Sequence, residues 1–115
     1  MSDVLSVALS RLSRVDGVRG ALIVDAQAGV PVVSELADGV AEPAVAALAA
    51  SLFRRTAKAA GAAAFGGLET LQLEAEAGHV VMAGAGELVV VVVAEADAQL
   101  GLIRLEAQRA AGSLA

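Results

Sequence analysis

Along the last third of the chain, polar and apolar residues first alternate and then stop alternating. Leu71, Gln72, Leu73, Glu74, Ala75 and Glu76 switch side by side, the mark of a strand with one face in solvent. Gly78 opens an apolar run from His79 to Ala83, Gly84-Ala85-Gly86 offers a tight turn, and Leu88 to Val93 is apolar without a break. Such a run predicts a strand covered on both faces, at the centre of its sheet. Leu100, Ile103, Ala107, Ala110, Ala111 and Leu114 then recur at helical spacing. Three strands joined by two short turns therefore lead into a helix that lies back on the sheet.

The earlier segments complete the pattern. Residues 3–15 read as a helix with Val4, Leu5, Ala8, Leu9, Leu12 and Val15 on one arc; Ser2 or Asp3 can cap its start, and Asp16-Gly17 ends it. Residues 18–25 read as a strand centred on Leu22-Ile23-Val24. Asp25 to Gly29 forms a turn with Gly29 at positive φ, and Val30 to Leu36 returns as a second strand. Pro31 has no N–H to give a ladder, so it belongs at an open edge or a bulge. Pro43 suits the first turn of a long helix over 43–60, and 61–67 reads as a glycine-rich linker. The order is α-β-β-α-β-β-β-α. It predicts an α+β sandwich, a five-stranded antiparallel sheet with the middle helix on one face and the two terminal helices on the other.

In that middle helix, Val45, Leu48, Ala49, Leu52, Phe53 and Thr56 are expected to face the sheet. Ala47, Ser51, Arg54, Arg55 and Lys58 lie opposite, and Ala46, Ala50 and Ala57 run between as a stripe of methyl groups. Such a stripe lets a second backbone come close. Composition points the same way. The chain is 57% hydrophobic but only 2% aromatic, so its core is built from small side chains, and the surplus apolar surface is expected to close against a second copy.

At 115 residues the chain is expected to form a single domain over 1–115. It has no cysteine, which removes disulfides and thiolate metal sites and suits a reducing compartment. The charges Asp3, Arg11 and Arg14 do not fit a cleavable leader, and no apolar run reaches the ~18 residues of a membrane span. A net charge of −5 disfavours nucleic acid and anionic membranes as partners. A cytoplasmic protein without membrane insertion is expected.

Catalytic chemistry finds little to work with. The segment from Gly61 to Leu68 has the outline of a phosphate loop, but Gly67 and Leu68 stand where that motif needs Lys and Ser or Thr, and a helix precedes it instead of a strand. Gly84-Ala85-Gly86 lacks the third glycine and the helix of a dinucleotide site. His79 is the sole histidine, read as a strand-end residue with a partly solvated ring, and Ser34 and Ser51 have no nucleophile elbow around them. No metal, no cofactor and no active site of its own are expected. The densest basic group, Arg54, Arg55 and Lys58, could serve as a docking surface for an acidic or phosphate-bearing partner.

Three segments carry a family resemblance. They are Val15 to Asp25 (a helix end, a glycine break and the first strand), Gly78 to Met82 with Gly84 to Val92, and Leu100 to Leu105 in the closing helix. In order and spacing, from Leu5 to Leu114, the chain resembles the Roadblock/LC7 domain family, in particular its bacterial MglB-type regulators of Ras-like GTPases. The first hairpin departs from the pattern by carrying Ala28-Gly29 where many relatives have Asp-Gly. The resemblance implies the profilin-like sandwich described above and a homodimer whose middle helices lie side by side and whose third strands pair across the axis. It implies an interface drawing on Ala46, Ala50, Phe53 and Ala57 of the helix and on Leu71 and Leu73 of the strand. It further implies that a small Ras-like GTPase docks near Ser51, Arg54, Arg55 and Lys58 and has its hydrolysis modulated. Other members are scaffolds of the dynein-light-chain type, so the alternative is a dimeric adaptor that alters no reaction.

Overall fold

A computed structural model describes residues 2–114, with side chains from residue 4 onward. The capping expected of Ser2 or Asp3 lies outside those side chains. The elements are α1 (Ser2–Ser13), β1 (Val18–Asp25), β2 (Pro31–Leu36), α2 (Glu42–Ala62), β3 (Thr70–Ala75), β4 (Gly78–Ala85), β5 (Leu88–Ala94) and α3 (Leu100–Leu114). The strands form one antiparallel sheet in the order β2-β1-β5-β4-β3. The valine run is β5, and it lies at the centre, as its lack of polar residues requires.

Alternation along the central strands splits the core in two. Val90 and Val92 of β5, Ile23 of β1 and Val81 of β4 pack against α1 and α3, where Leu9, Leu12 and Ile103 meet them. Val89 and Val91, Leu22 and Val24, and Met82 point the other way, under α2. A slip of one residue in β5 would exchange these two sets, so the register is fixed by both layers at once.

The turns follow from local chemistry. Asp25 Oδ1 accepts hydrogen bonds from the Gln27 and Ala28 amides at 2.9 and 2.8 Å, and Gly29 closes the hairpin at φ 69°. Pro31 pairs with Val24 where the β1–β2 register shifts, on the edge strand β2. The turn between β4 and β5 is Gly86-Glu87, later than the expected Gly84-Ala85-Gly86, because β4 continues through Ala85. Gly84 is needed for a different reason. A Cβ there would lie 2.8 Å from Phe53 Cζ, so its bareness makes room for the one buried aromatic ring.

α2 is longer than expected and ends differently. It runs through Gly61 to Ala62, and Ala64 takes the left-handed conformation at φ 67°. The Phe65 amide bonds back to the Ala60 carbonyl at 2.9 Å and the Ala64 amide to Gly61 at 3.1 Å, the paired bonds of a Schellman close. The alanines around Gly61 favour helix strongly enough to carry the chain past it.

The rotation of α2 about its axis also corrects the sequence reading. Ala46, Ala49 and Ala50 are at most 1% exposed and lie with Phe53 against the protomer's own sheet. The methyl stripe of Ala46 and Ala50 is therefore spent inside the subunit, as is Phe53, and none of the three offers a free face to a second copy. Ala57 is half-buried. Small side chains beneath the helix let it sit close on the valine surface, which leaves the larger Val45 and Leu52 half-buried on its flank and Leu48 43% exposed.

Candidate partner-binding surface

Two local facts orient α2. Ala47 and Ala50 approach Gly29, and Arg54 Nη1 donates to the Ala26 carbonyl at 3.0 Å, so this flank leans over the β1–β2 turn. By helical spacing, Val45, Leu48 and Leu52 (i, i+3, i+7) occupy the other flank, toward β4 and β3. On that side Leu71 and Leu73 of β3, and Val80 beside them in β4, are only half-buried although they point toward the α2 layer. Leu52, Leu71, Leu73 and Val80 pack partly buried against the core under α2 and Leu48 is 43% exposed on the same flank, so an apolar surface lies between helix and edge strand. β3 is also a sheet edge, with one row of backbone groups unpaired.

The polar residues expected at a partner surface are brought onto one outward arc of α2 but are not equivalent. Arg54, Arg55 and Lys58 are exposed or nearly so and Ser51 is half-buried. Arg54 ties the helix to the Ala26 carbonyl, so it holds the β1–β2 turn in place. Arg55 and Lys58 form no ion pair among the described residues, where the single pair is Arg109 to Glu106 at 3.5 Å. Just beyond the helix, Phe65 is 85% exposed in the loop anchored by the Schellman close. Sequence reading passed over it as part of a linker. Its signal was an aromatic in a chain with only two, placed after a helix end.

The other candidates have local explanations. Ser34 Oγ donates to Glu42 Oε2 and so joins β2 to the first turn of α2, where a carboxylate also suits the helix dipole. His79 is half-buried, and its Nε2–H donates to the Ala96 carbonyl at 2.8 Å, leaving Nδ1 buried as an unpartnered acceptor. Among the described residues no three His, Cys, Asp or Glu side chains converge as metal ligands, and no helix is long and apolar enough to cross a membrane.

A model of the Roadblock/LC7 domain matches residues 5–94, which span α1 through β5. The chain belongs to the Roadblock/LC7 family. An uncharacterized protein of Methanocaldococcus jannaschii is 35% identical over 106 residues, covering 92% of this chain and 89% of that protein. Among solved structures, Myxococcus xanthus MglB superposes with a TM-score of 0.85 at 20% identity, covering 97% of this chain and 85% of its own. The gliding protein MglB of Thermus thermophilus gives 0.83 at 23%, covering 97% and 86%. A further MglB structure, at 0.82 and 24%, covers 98% and 85% and is described as a tetrameric arrangement. These identities establish a shared Roadblock/LC7 fold. In this Roadblock chain α3 lies beyond the matched segment, yet it supplies Ile103, Ala107, Ala110 and Ala111 to the core.

Proposed function

We propose that this Roadblock/LC7 chain, acting as a single domain over 1–115, is a cytoplasmic homodimer that binds a small Ras-like GTPase and modulates its GTP hydrolysis. The observation that carries the reading is the apolar surface of Leu48, Leu52, Leu71 and Leu73 beside an open sheet edge, adjoining a helix face with free cations. In this reading the interface expected at Leu71 and Leu73 is retained, since both are only half-buried. Leu48 and Leu52 replace Ala46, Ala50 and Phe53 as the helix contribution, and Ala57 stays at its margin. A second protomer laid along this surface would cover the leucines and pair the β3 edges, which would remove an aggregation-prone edge. That self-association is in keeping with the tetrameric arrangement described for one MglB structure.

Pairing two such surfaces would also place the outer arcs of both α2 helices on one platform. Arg55, Lys58 and Phe65 are the groups there with charge or apolar area to offer, and Arg and aromatic side chains are the usual anchors of an interface. Ser51 lies on the same arc, and Arg54 contributes by holding the turn beside it. The likeness to MglB in fold favours a GTPase as the partner. The test is to time GTP loss by a candidate GTPase with and without the chain and to follow co-elution. Altered hydrolysis with a stable complex supports the proposal. Stable binding without a change in rate assigns the chain to the adaptor class, and neither binding nor a rate change removes the reading.

A further inference from the structure

The open edge of β3 is symmetrical in its chemistry. The Gly84 amide bonds to the Glu69 carbonyl, so by alternation Leu71 and Leu73 are the residues that exchange backbone bonds with Met82 and Val80 of β4. Thr70, Gln72 and Glu74 turn their N–H and C=O groups the other way, where no further strand follows. Side chains alternate in the same step. Thr70 and Gln72 stand beside Ala83 and Val81, on the face of the sheet that carries α1 and α3, and Gln72 and Glu74 are exposed there. Leu71 and Leu73 lie half-buried on the α2 face. About Gln72 the strand therefore reads alike in both directions: a leucine on either side, then a polar residue with outward backbone groups.

A twofold axis through Gln72 uses that symmetry. It sets Gln72 opposite the partner's Gln72, Thr70 opposite the partner's Glu74, and Leu71 opposite the partner's Leu73. Every outward backbone group of Thr70, Gln72 and Glu74 then meets a group within the facing strand. The two carboxamides can donate to and accept from each other, and the Thr70 hydroxyl can donate to the facing carboxylate. The leucines close into one apolar layer beside α2. Other axes do worse. An axis at Leu71 sets Glu74 opposite the partner's Leu68, and one at Leu73 sets Thr70 opposite the partner's Glu76, both outside β3. An axis at Glu74 sets two carboxylates directly face to face, which is destabilising.

We propose that the β3 edge takes a second copy of this chain in a single register, with the twofold axis at Gln72. An isologous contact demands such self-complementarity, and an unrelated extended segment does not. The proposal rests on the homodimer reading above and adds to it the residue on the axis.

The chain has no cysteine, so introduced thiols report the seam alone. Gln72→Cys, Thr70→Cys and Glu74→Cys are each treated with a one-carbon bis-thiosulfonate, and cross-linked dimer is timed on non-reducing gels. Gln108→Cys, at an exposed position on α3, measures random collision. Sedimentation velocity records the assembly of each variant. In the proposed register the two Cα atoms at position 72 lie about 5.5 Å apart, and those at 70 or at 74 about 14 Å apart. The linker spans the first distance and not the second. Gln72→Cys is therefore expected to cross-link at least tenfold faster than Thr70→Cys or Glu74→Cys alone, and mixing the latter two to restore fast cross-linking. Charge gives a reading that needs no thiol. Gln72→Glu and Gln72→Lys should each weaken self-association several-fold, and an equal mixture should recover it, because only the residue on the axis meets its own copy. A dimer in which Thr70→Cys or Glu74→Cys alone keeps pace with Gln72→Cys would overturn the register and leave the homodimer standing. A dimer whose seam thiols react no faster than Gln108→Cys would do the same. A chain that sediments as a monomer would overturn both.

Discussion

Placing a glutamate at Ala50 or at Leu48, two residues apart on α2, should produce opposite failures. Ala50 is 1% exposed in the protomer's own core, so Ala50→Glu buries an unpaired carboxylate at a cost of several kcal/mol, with about 1–3 kcal/mol more from overpacking. Total stabilities of small domains are about 5–15 kcal/mol. The variant should therefore lose most of its fold. Leu48 is 43% exposed, and full burial of a leucine is worth about 1.5–3 kcal/mol, so covering the exposed part contributes about 1 kcal/mol per protomer. Twofold symmetry doubles this to about 2 kcal/mol, roughly 30-fold in Kd, and a glutamate adds its own desolvation. Leu48→Glu should keep its helical signal and cooperative melt while dissociating at concentrations where the parent is dimeric. Sedimentation velocity over a dilution series and thermal unfolding by circular dichroism read the two effects separately. The reasoning is refuted if Leu48→Glu associates as tightly as the parent, or if Ala50→Glu becomes a well-folded monomer.

Three further predictions concern the fold and α2. Gly84→Ala should lower stability by about 1–2 kcal/mol, since the new Cβ meets the tip of the Phe53 ring, and Gly20→Ala by about 3 kcal/mol, since there it meets Leu36 Cα at 2.8 Å and the Glu35 carbonyl at 2.9 Å; urea unfolding measures both. Arg54→Ala should cost about 1 kcal/mol through its bond to the Ala26 carbonyl, whereas Arg55→Ala should change stability by less than about 0.5 kcal/mol and weaken partner affinity instead, as urea titration and calorimetry would show. Ala64→Gly should raise the melting temperature, by about 0.5–1 kcal/mol of stability, because glycine occupies φ 67° without the steric cost that alanine carries.

Much of the architecture could be read from the sequence because its strands are strongly patterned. The unbroken Leu88–Val93 run demanded two covering layers, and the 71–76 alternation demanded one wet face; β5 lies at the centre of the sheet, and Gln72 and Glu74 of β3 are exposed between half-buried leucines. The orientation of α2 was not legible for a physical reason. Alanines surround the helix, so its apolar arc has no sharp boundary, and volume, not hydrophobicity, decides which arc goes down. Close approach to a valine surface selects Ala46, Ala49 and Ala50 and turns Leu48 outward. The candidate surface shifted with it. Arg55 and Lys58 are exposed on α2, Arg54 has a local partner that only the folded chain reveals, and Phe65 was hidden in a segment that looked like mere linker.

Hydrogen exchange along β3 tests the shared sheet most directly. The Gly84 amide bonds to the Glu69 carbonyl at 3.1 Å, so by antiparallel alternation the amides of Thr70, Gln72 and Glu74 point away from β4 toward the open edge. If two protomers join through this strand, the Gln72 and Glu74 amides exchange slowly and their protection disappears on dilution or in Leu48→Glu. Exchange at the rate of an open edge, at concentrations where the chain sediments as a dimer, would contradict the account.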